Sequence, residues 1–398
     1  MLMIQNNLIN ADMKSLLASV TALILVIGLG LVTSYCASTE KPDPIRFYVG
    51  SSDGSLEHSV FLCEFDPWRE QIAVVDSFSG ARGASYLALS PDLQSLYTID
   101  KTLAESQQSN QVAAFARDRE SDMLTFLNSQ PSEGLGPCHV SCSQDGKYLF
   151  TSNYNSGNLA AFPLDDRGRI LPASSVVQSE GNGPVGERQE GPHTHFVTLD
   201  PMGKYLLSPD LGADKVLVLM FDHQTGTLTS NPGQPFFSLR PGSGPRHLVF
   251  HPEGKSLYIA NELSSTVTAC SYAPATGTIS ELNTLSTVPE AYEGTKYPAA
   301  VRISPDGRYV YVSTRGNISS IAVFRVEADG SLSRIQVIEN VPGWPRDFNI
   351  DPSGRYLIVA GERSNDIELF HRDTNTGKLE RSNITCQIPS PACVLFIP

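Results

Sequence analysis

The chain has 398 residues, 40% of them aliphatic, aromatic or cysteine, and a formal net charge of −13. That length holds two average domains or one large all-β domain, and the apolar content suffices for a sizeable core. The acidic balance argues against nucleic acid or an anionic membrane as partner, and neither a Gly-rich phosphate loop nor a dinucleotide fingerprint is present.

The first element in chain order is apolar. "SLLASVTALILVIGLGLVTSYCA", residues 15–37, carries no charge over 23 residues and follows Lys14. It is long for a signal h-region and long enough for one membrane span. "SYCAST" offers small residues for cleavage near Cys36, whereas Tyr35 is too large for a lipoprotein box. Residues 1–41 therefore read as a secretory signal, or an uncleaved signal anchor, with a short linker. Both readings put residues 42–398 outside the cytosol, with membrane attachment only through this segment.

Three strand-like runs come next: "IRFYVGSS", "SVFLCEFD" and "QIAVVDSF". A repeat then begins. "SYLALSPDLQSLYTIDK" is a weak first copy, and "CHVSCSQDGKYLFTSNY", "HFVTLDPMGKYLLSPDL" and "RHLVFHPEGKSLYIANE" are clear ones. "AVRISPDGRYVYVSTR" and "RDFNIDPSGRYLIVAGE" complete the series. Each is an apolar alternation, a tight turn of the Asp-Gly type in which that pair supplies the residues with positive φ, and a second apolar run. A third strand follows, as in "LAAFPLD", "VLVLMFD", "TVTACSY" and "SIAVFRV", and then a fourth, as in "GRILPASS" and "GSLSRIQVIE". Four strands about every 50 residues, with helical periodicity nearly absent after the N-terminus, predict an all-β fold of β-propeller blades. The last run, "PACVLFIP", is a first strand with nothing after it. Pairing it with the three N-terminal strands gives a seventh four-stranded blade and closes the ring, leaving no open edge.

Seven cysteines are present, and loss of Cys36 with a signal would leave Cys63, Cys138, Cys142, Cys270, Cys386 and Cys393. Six cysteines permit disulfides without showing them, and the lack of any CxxC argues against structural zinc. Cys63 and Cys393 fall two strands apart in the closing blade, too far for a bridge. "NIS" at Asn317 and "NIT" at Asn383 are glycosylation acceptors if the chain is exported.

In a propeller the first strand of each blade lines the central channel, so the repeats can be stacked to show what faces one mouth. The first-strand position holds Ser85, Cys138, His195, Arg246, Ala299, Arg346 and Ala392. The end of the second strand holds Lys101, Tyr154, Leu211, Glu262, Arg315 and Glu362. Positive charge focused at one mouth of an acidic protein implies a small anionic ligand. Arg246 and Glu262 share a blade, so a plain rim ion pair is the alternative for those two. His193 and His195, in "GPHTH", are expected on opposite faces of a strand, which argues against a shared metal. His195 then reads either as a channel-facing acid/base or as a structural histidine. Asp210 and Asp214 read as loop-fixing residues.

"GPHTHFV", "DLGADKV", "GPRHLVFHPEG", "NEL" and "RDFNIDPSGRYLIVAGERSNDIELF" resemble the seven-bladed propeller lactonases over nearly all of residues 45–398. That family includes the propeller-type 6-phosphogluconolactonases and the fungal carboxy-cis,cis-muconate cyclases. The resemblance implies catalytic roles for His195, Arg246, Glu262 and Arg315. Arg346, Lys101, Tyr154 and Glu362 would complete the substrate pocket. Hydrolysis of an anionic sugar lactone is the leading expectation, muconate lactonisation the alternative, and neither needs a metal or organic cofactor. An exported propeller that binds a ligand without turnover is the reading from another class. Two features depart from the family: the export-like segment, and Asn317 two residues after Arg315.

Overall fold

The computed structural model describes residues 41–398; the apolar segment and Cys36 lie outside the described residues. From residue 44 onward the chain forms seven antiparallel sheets. Six run in sequence order, over residues 87–131, 137–178, 198–238, 245–286, 296–339 and 345–387. The seventh begins with the last strand, Pro391–Phe396, followed by Ile45–Ser51, His58–Asp66 and Gln71–Ser79. Val394 pairs with Val49, and Cys393 with Gly50, across that junction. The expected ring closure is thus made by strand pairing, and all six described cysteines are free thiols.

The core lies between blades rather than within them. Each of the seven apolar clusters draws on two neighbouring sheets. Phe47, Val394 and Phe396 of the closing blade, for example, pack with Ile358, Ile367 and Leu369 of the preceding one. A sheet with two apolar faces is stable only when both are covered, and a closed ring covers both.

The repeated turn demands less than expected. Only its glycine has positive φ, as at Gly146, Gly203, Gly254, Gly307 and Gly354 (69–73°), and the preceding residue does not. The turn is a type I form ending in a left-handed residue. Asp145 shows how it is fixed, since its carboxylate accepts from the Lys147 N–H and the Ser143 hydroxyl. In the weak first copy Leu93 takes that conformation, at φ 59°.

Two fourth strands also differ from the sequence reading. In "GRILPASS" Ile170 makes only an isolated bridge, and the fourth strand of that blade is Ser175–Gln178, which takes just the last residue of that run. Pro172 has no N–H for the ladder, which moves the strand onward. In the next blade the fourth strand is split into Thr227–Ser230 and Phe236–Ser238, interrupted by Asn231-Pro232-Gly233.

Candidate active site

Five first strands carry a register shift at the same place: Pro137/His139, Pro245/His247, Pro298/Val301, Pro345/Asp347 and Gly50/Ser51 opposite Pro391. The residues left out of the ladder are Cys138, Arg246, Ala299 with Ala300, Arg346 and Ala392. A bulge leaves one residue out of the ladder and re-aims its side chain. This is why an apolar strand can begin with a guanidinium: the arginine occupies the one position the sheet does not use. The "GSGP" turn before Arg246 is held by Asp214, whose carboxylate accepts from the N–H groups of Gly242 and Gly244 at 2.7 Å each.

A cavity of about 400 Å³ opens at this mouth. Of the stacked positions, Ser85, Cys138, His195 and Arg346 line it from the start of first strands or the segment just before them, and Lys101, Tyr154, Glu262 and Arg315 from the end of second strands or the residue just after. Leu211 is packed away from it in the core. Glu362 stands behind Arg346, 3.6 Å from its Nη1. Arg246 is the clearest departure. It is only 2% exposed and is not among the residues that line the cavity, so its backbone is at the mouth while its side chain lies among buried groups. Its Nη1 donates to the Ala299 carbonyl at 2.8 Å and sits 3.0 Å from His247 Nε2. Its Nε lies 3.0 Å from Glu262 Oε2, though the N–H is not aimed at that oxygen, so this is a charge pair rather than a directed hydrogen bond. Stacking repeats gives the angular position of a residue around the channel, but depth depends on side-chain direction.

Glu262 is the hub. Oε2 also accepts from Arg315 Nη2 at 2.6 Å, and Oε1 accepts from Arg188 Nη2 at 2.5 Å. Burial by itself pushes the carboxyl up, but Arg315, Arg246 and Arg188 outweigh it and bring it down to about 2. Burial, then Arg315 and Arg346, push the Arg246 guanidinium down to about 9, still charged at neutral pH. His195 is driven well below the usual imidazole range by burial and by Arg246 and Arg346. It is therefore neutral, and its Nδ1 is buried without a partner. Burial raises the Cys138 thiol to about 11, which keeps it protonated.

The two histidines of "GPHTH" are not on opposite faces of a strand. The strand starts only at Thr198, and the segment before it is irregular. His193 stacks on Tyr154 at 4.4 Å and His195 meets the same ring edge-on at 5.4 Å. Asp210 fixes this segment by accepting from the N–H groups of His193, Gly212 and Ala213, and Asp214 acts likewise on the next turn. Asn317 and Asn383 are both exposed.

Among the lining residues that escaped the sequence reading, three carry a charged or aromatic side chain. Arg188 comes from a short 3₁₀ turn, Gly186–Arg188, in the insertion between the second and third complete blades. Tyr297 lies opposite Arg315 in the sheet ladder. Trp344 precedes the strand of Arg346, has φ 62°, and packs against the Arg363 guanidinium at 3.4 Å. In two other blades the residue at its place is glycine, Gly136 and Gly244, each before the first-strand proline. The Tyr154 N–H bonds the Gly136 carbonyl, the Glu262 N–H that of Gly244, and the Glu362 N–H that of Trp344. Only the position of Trp344 relative to "GLGP" and "GSGP" hinted at this.

Below the mouth the channel is filled. The rings of Tyr86, His139 and Phe196 lie in series at 3.9 Å spacings, His247 lies 5.0 Å from Phe196, and Arg302 pairs with Asp347 at 2.8 Å. The site is therefore a dead-end pocket lined by four cations, Lys101, Arg188, Arg315 and Arg346, with a fifth, Arg246, buried against Glu262; the carboxylates are Glu262 and the adjacent Glu362.

Fold and site together define a seven-bladed propeller with a cation-rich pocket at one channel mouth. Residues 46–396 match the model of the family described as "Lactonase, 7-bladed beta-propeller". A 6-phosphogluconolactonase of Bacillus subtilis is 35% identical over 351 residues, covering 88% of this chain and 97% of that protein. One from Formosa agariphila is 32% identical, covering 84% and 94%. The structure of a periplasmic gluconolactonase of Pseudomonas aeruginosa superposes with a TM-score of 0.83 at 27% identity, covering 89% of this chain and 99% of that one. The chain belongs to the seven-bladed β-propeller lactonase family.

Proposed function

We propose that the pocket hydrolyses a sugar lactone carrying an anionic group. The observation that carries this is the excess of cations around one carboxylate and one neutral imidazole in a closed-bottom cavity. Arg346, one of the more open guanidiniums, engages the anionic group together with Lys101. Arg315 stabilises the oxyanion formed when water adds to the lactone carbonyl. The nucleophilic water is oriented by the lone pair of neutral His195, and its proton passes to Glu262. Collapse of the tetrahedral adduct breaks the ring C–O bond, and the proton moves from Glu262 to the released alkoxide. Arg246 acts through Glu262, holding it from beneath. The test is hydrolysis of 6-phosphogluconolactone above its spontaneous rate, alongside glucono-δ-lactone and muconates. No acceleration with any of them would refute the proposal. Gluconate or phosphate binding without turnover would support the ligand-binding reading instead.

A second reading concerns substrate and place. The uncharged stretch of residues 15–37 and the relative named as periplasmic both favour an exported enzyme acting on an unphosphorylated lactone. N-terminal sequencing of the mature protein, with the relative rates on the two gluconolactones, decides between them.

A further inference from the structure

Arg188 does not belong to the repeat. It is carried by the insertion over residues 179–197, and its backbone is pinned although its side chain is open. The next residue, Gln189, is fully buried, donates through Nε2 to the Leu211 carbonyl at 2.8 Å, and accepts from the Val185 N–H at 3.1 Å. The Arg188 N–H donates to the Val185 carbonyl at 2.9 Å. From this fixed base the guanidinium reaches over the cavity, passing 5.7 Å from the centre of the Tyr297 ring, to Oε1 of Glu262.

The two oxygens of Glu262 are not equivalent. Oε2 faces Arg246 and Arg315, whose side chains are almost fully enclosed and have nowhere to go. Oε1 is held by Arg188, whose side chain is 36% exposed. The inner pair is structural in its geometry, and the outer contact is the one that can be exchanged. In this structure Arg188 also occupies the approach to the oxygen that a base would use, and a charge-assisted bond of 2.5 Å lowers that oxygen's affinity for a water proton.

We propose that Arg188 is an exchangeable latch: it leaves Glu262 Oε1 for the anionic group of the incoming lactone, and so couples recognition of that group to exposure of the proton acceptor. This rests on the lactonase reading above and adds that a phosphate or carboxylate on the substrate switches the site on. Phosphate accepts the planar guanidinium fork in two parallel hydrogen bonds, a better match than the single contact with Oε1. The anion's binding energy is thereby used at the reacting centre rather than only to lower KM. The proton count is unchanged: one leaves the water for Oε1 and returns to the ring oxygen as the C–O bond breaks.

The latch makes an unusual prediction for Arg188→Met. With 6-phosphogluconolactone, kcat/KM falls roughly 30-fold, the loss expected for a charge-assisted hydrogen bond. With glucono-δ-lactone, which has no anion to draw the wild-type latch away, kcat/KM rises, because Oε1 is no longer covered. Arg188→Lys, which keeps the charge but not the fork, falls between wild type and Arg188→Met on the phosphorylated substrate. An equal loss on both lactones would mean that Arg188 only positions Glu262, and no change on either would place it outside the reaction; both overturn the proposal. Titration calorimetry with inorganic phosphate gives a readout that needs no turnover. Weaker phosphate binding by Arg188→Met supports the latch even if the wild type hydrolyses neither lactone, an outcome that would refute the lactonase reading alone. Unchanged phosphate binding overturns the latch.

Discussion

Replacing Glu262 with glutamine tests the hub directly. The side chain keeps its shape and loses its charge, which strands Arg246 and Arg315 in the interior and removes the partner of Arg188. The size of the effect follows from the carboxyl itself, which is held at about 2 in the folded protein against an ordinary value of 4.5. A depression of that size corresponds to about 3 kcal/mol of stability. Breaking a buried ion pair from one side costs a similar amount, roughly 3–5 kcal/mol. Because the folded value lies below the unfolded one, this stability is fully present above pH 4.5 and is lost as pH falls through the interval towards 2. The variant should therefore unfold roughly 4 °C earlier than wild type at pH 7, given about 2.1 cal/mol/K of unfolding entropy per residue over residues 44–398. The gap should narrow steadily below pH 4.5. Thermal melts of both proteins at pH 7 and in steps down to pH 3 measure both. Equal stability at pH 7, or a gap that does not shrink in acid, would refute the idea that Glu262 neutralises the arginine cluster.

Trp344→Gly restores the residue that the equivalent turns carry at Gly136 and Gly244. It relieves the left-handed strain of a bulky residue, on the order of 1–2 kcal/mol, against a comparable loss of packing and chain entropy. Melting should move little while kcat/KM drops at least tenfold; a large melting loss with activity intact would show that the indole is a packing residue. Deleting residues 393–398 should leave no cooperative unfolding transition by circular dichroism. It removes buried Cys393, Val394 and Phe396, at roughly 1.5–3 kcal/mol for a large apolar side chain, and takes the Val394 N–H from the Asp347 carboxylate. A truncated protein with full thermal stability would contradict closure of the ring by that strand.

The blade count and the closure were legible in the sequence because both depend on local chemistry. A left-handed residue, glycine in five of the six copies, must recur at each hairpin, apolar alternation must recur on each side of it, and a first strand left over at one end must match the three strands left over at the other. The same stacking brought His195, Glu262, Arg315, Arg346, Lys101 and Tyr154 to one mouth, since residues at equal distances from equivalent turns fall at equal heights in the ring. Tertiary structure decided what has no period. The depth of Arg246 depends on a bulge and on the next blade's Ala299 carbonyl, which are contacts between distant segments. Arg188 lies in an insertion outside the repeat, so no stacking could align it with Glu262. Trp344 occupies a glycine's place, and that substitution acquires meaning only when the neighbouring strand brings Arg363 under the indole and the ring turns it towards Arg315. Repetition fixes where the backbone goes; the side chains that shape the pocket are those on which the repeats differ, and their meeting is settled by the ring.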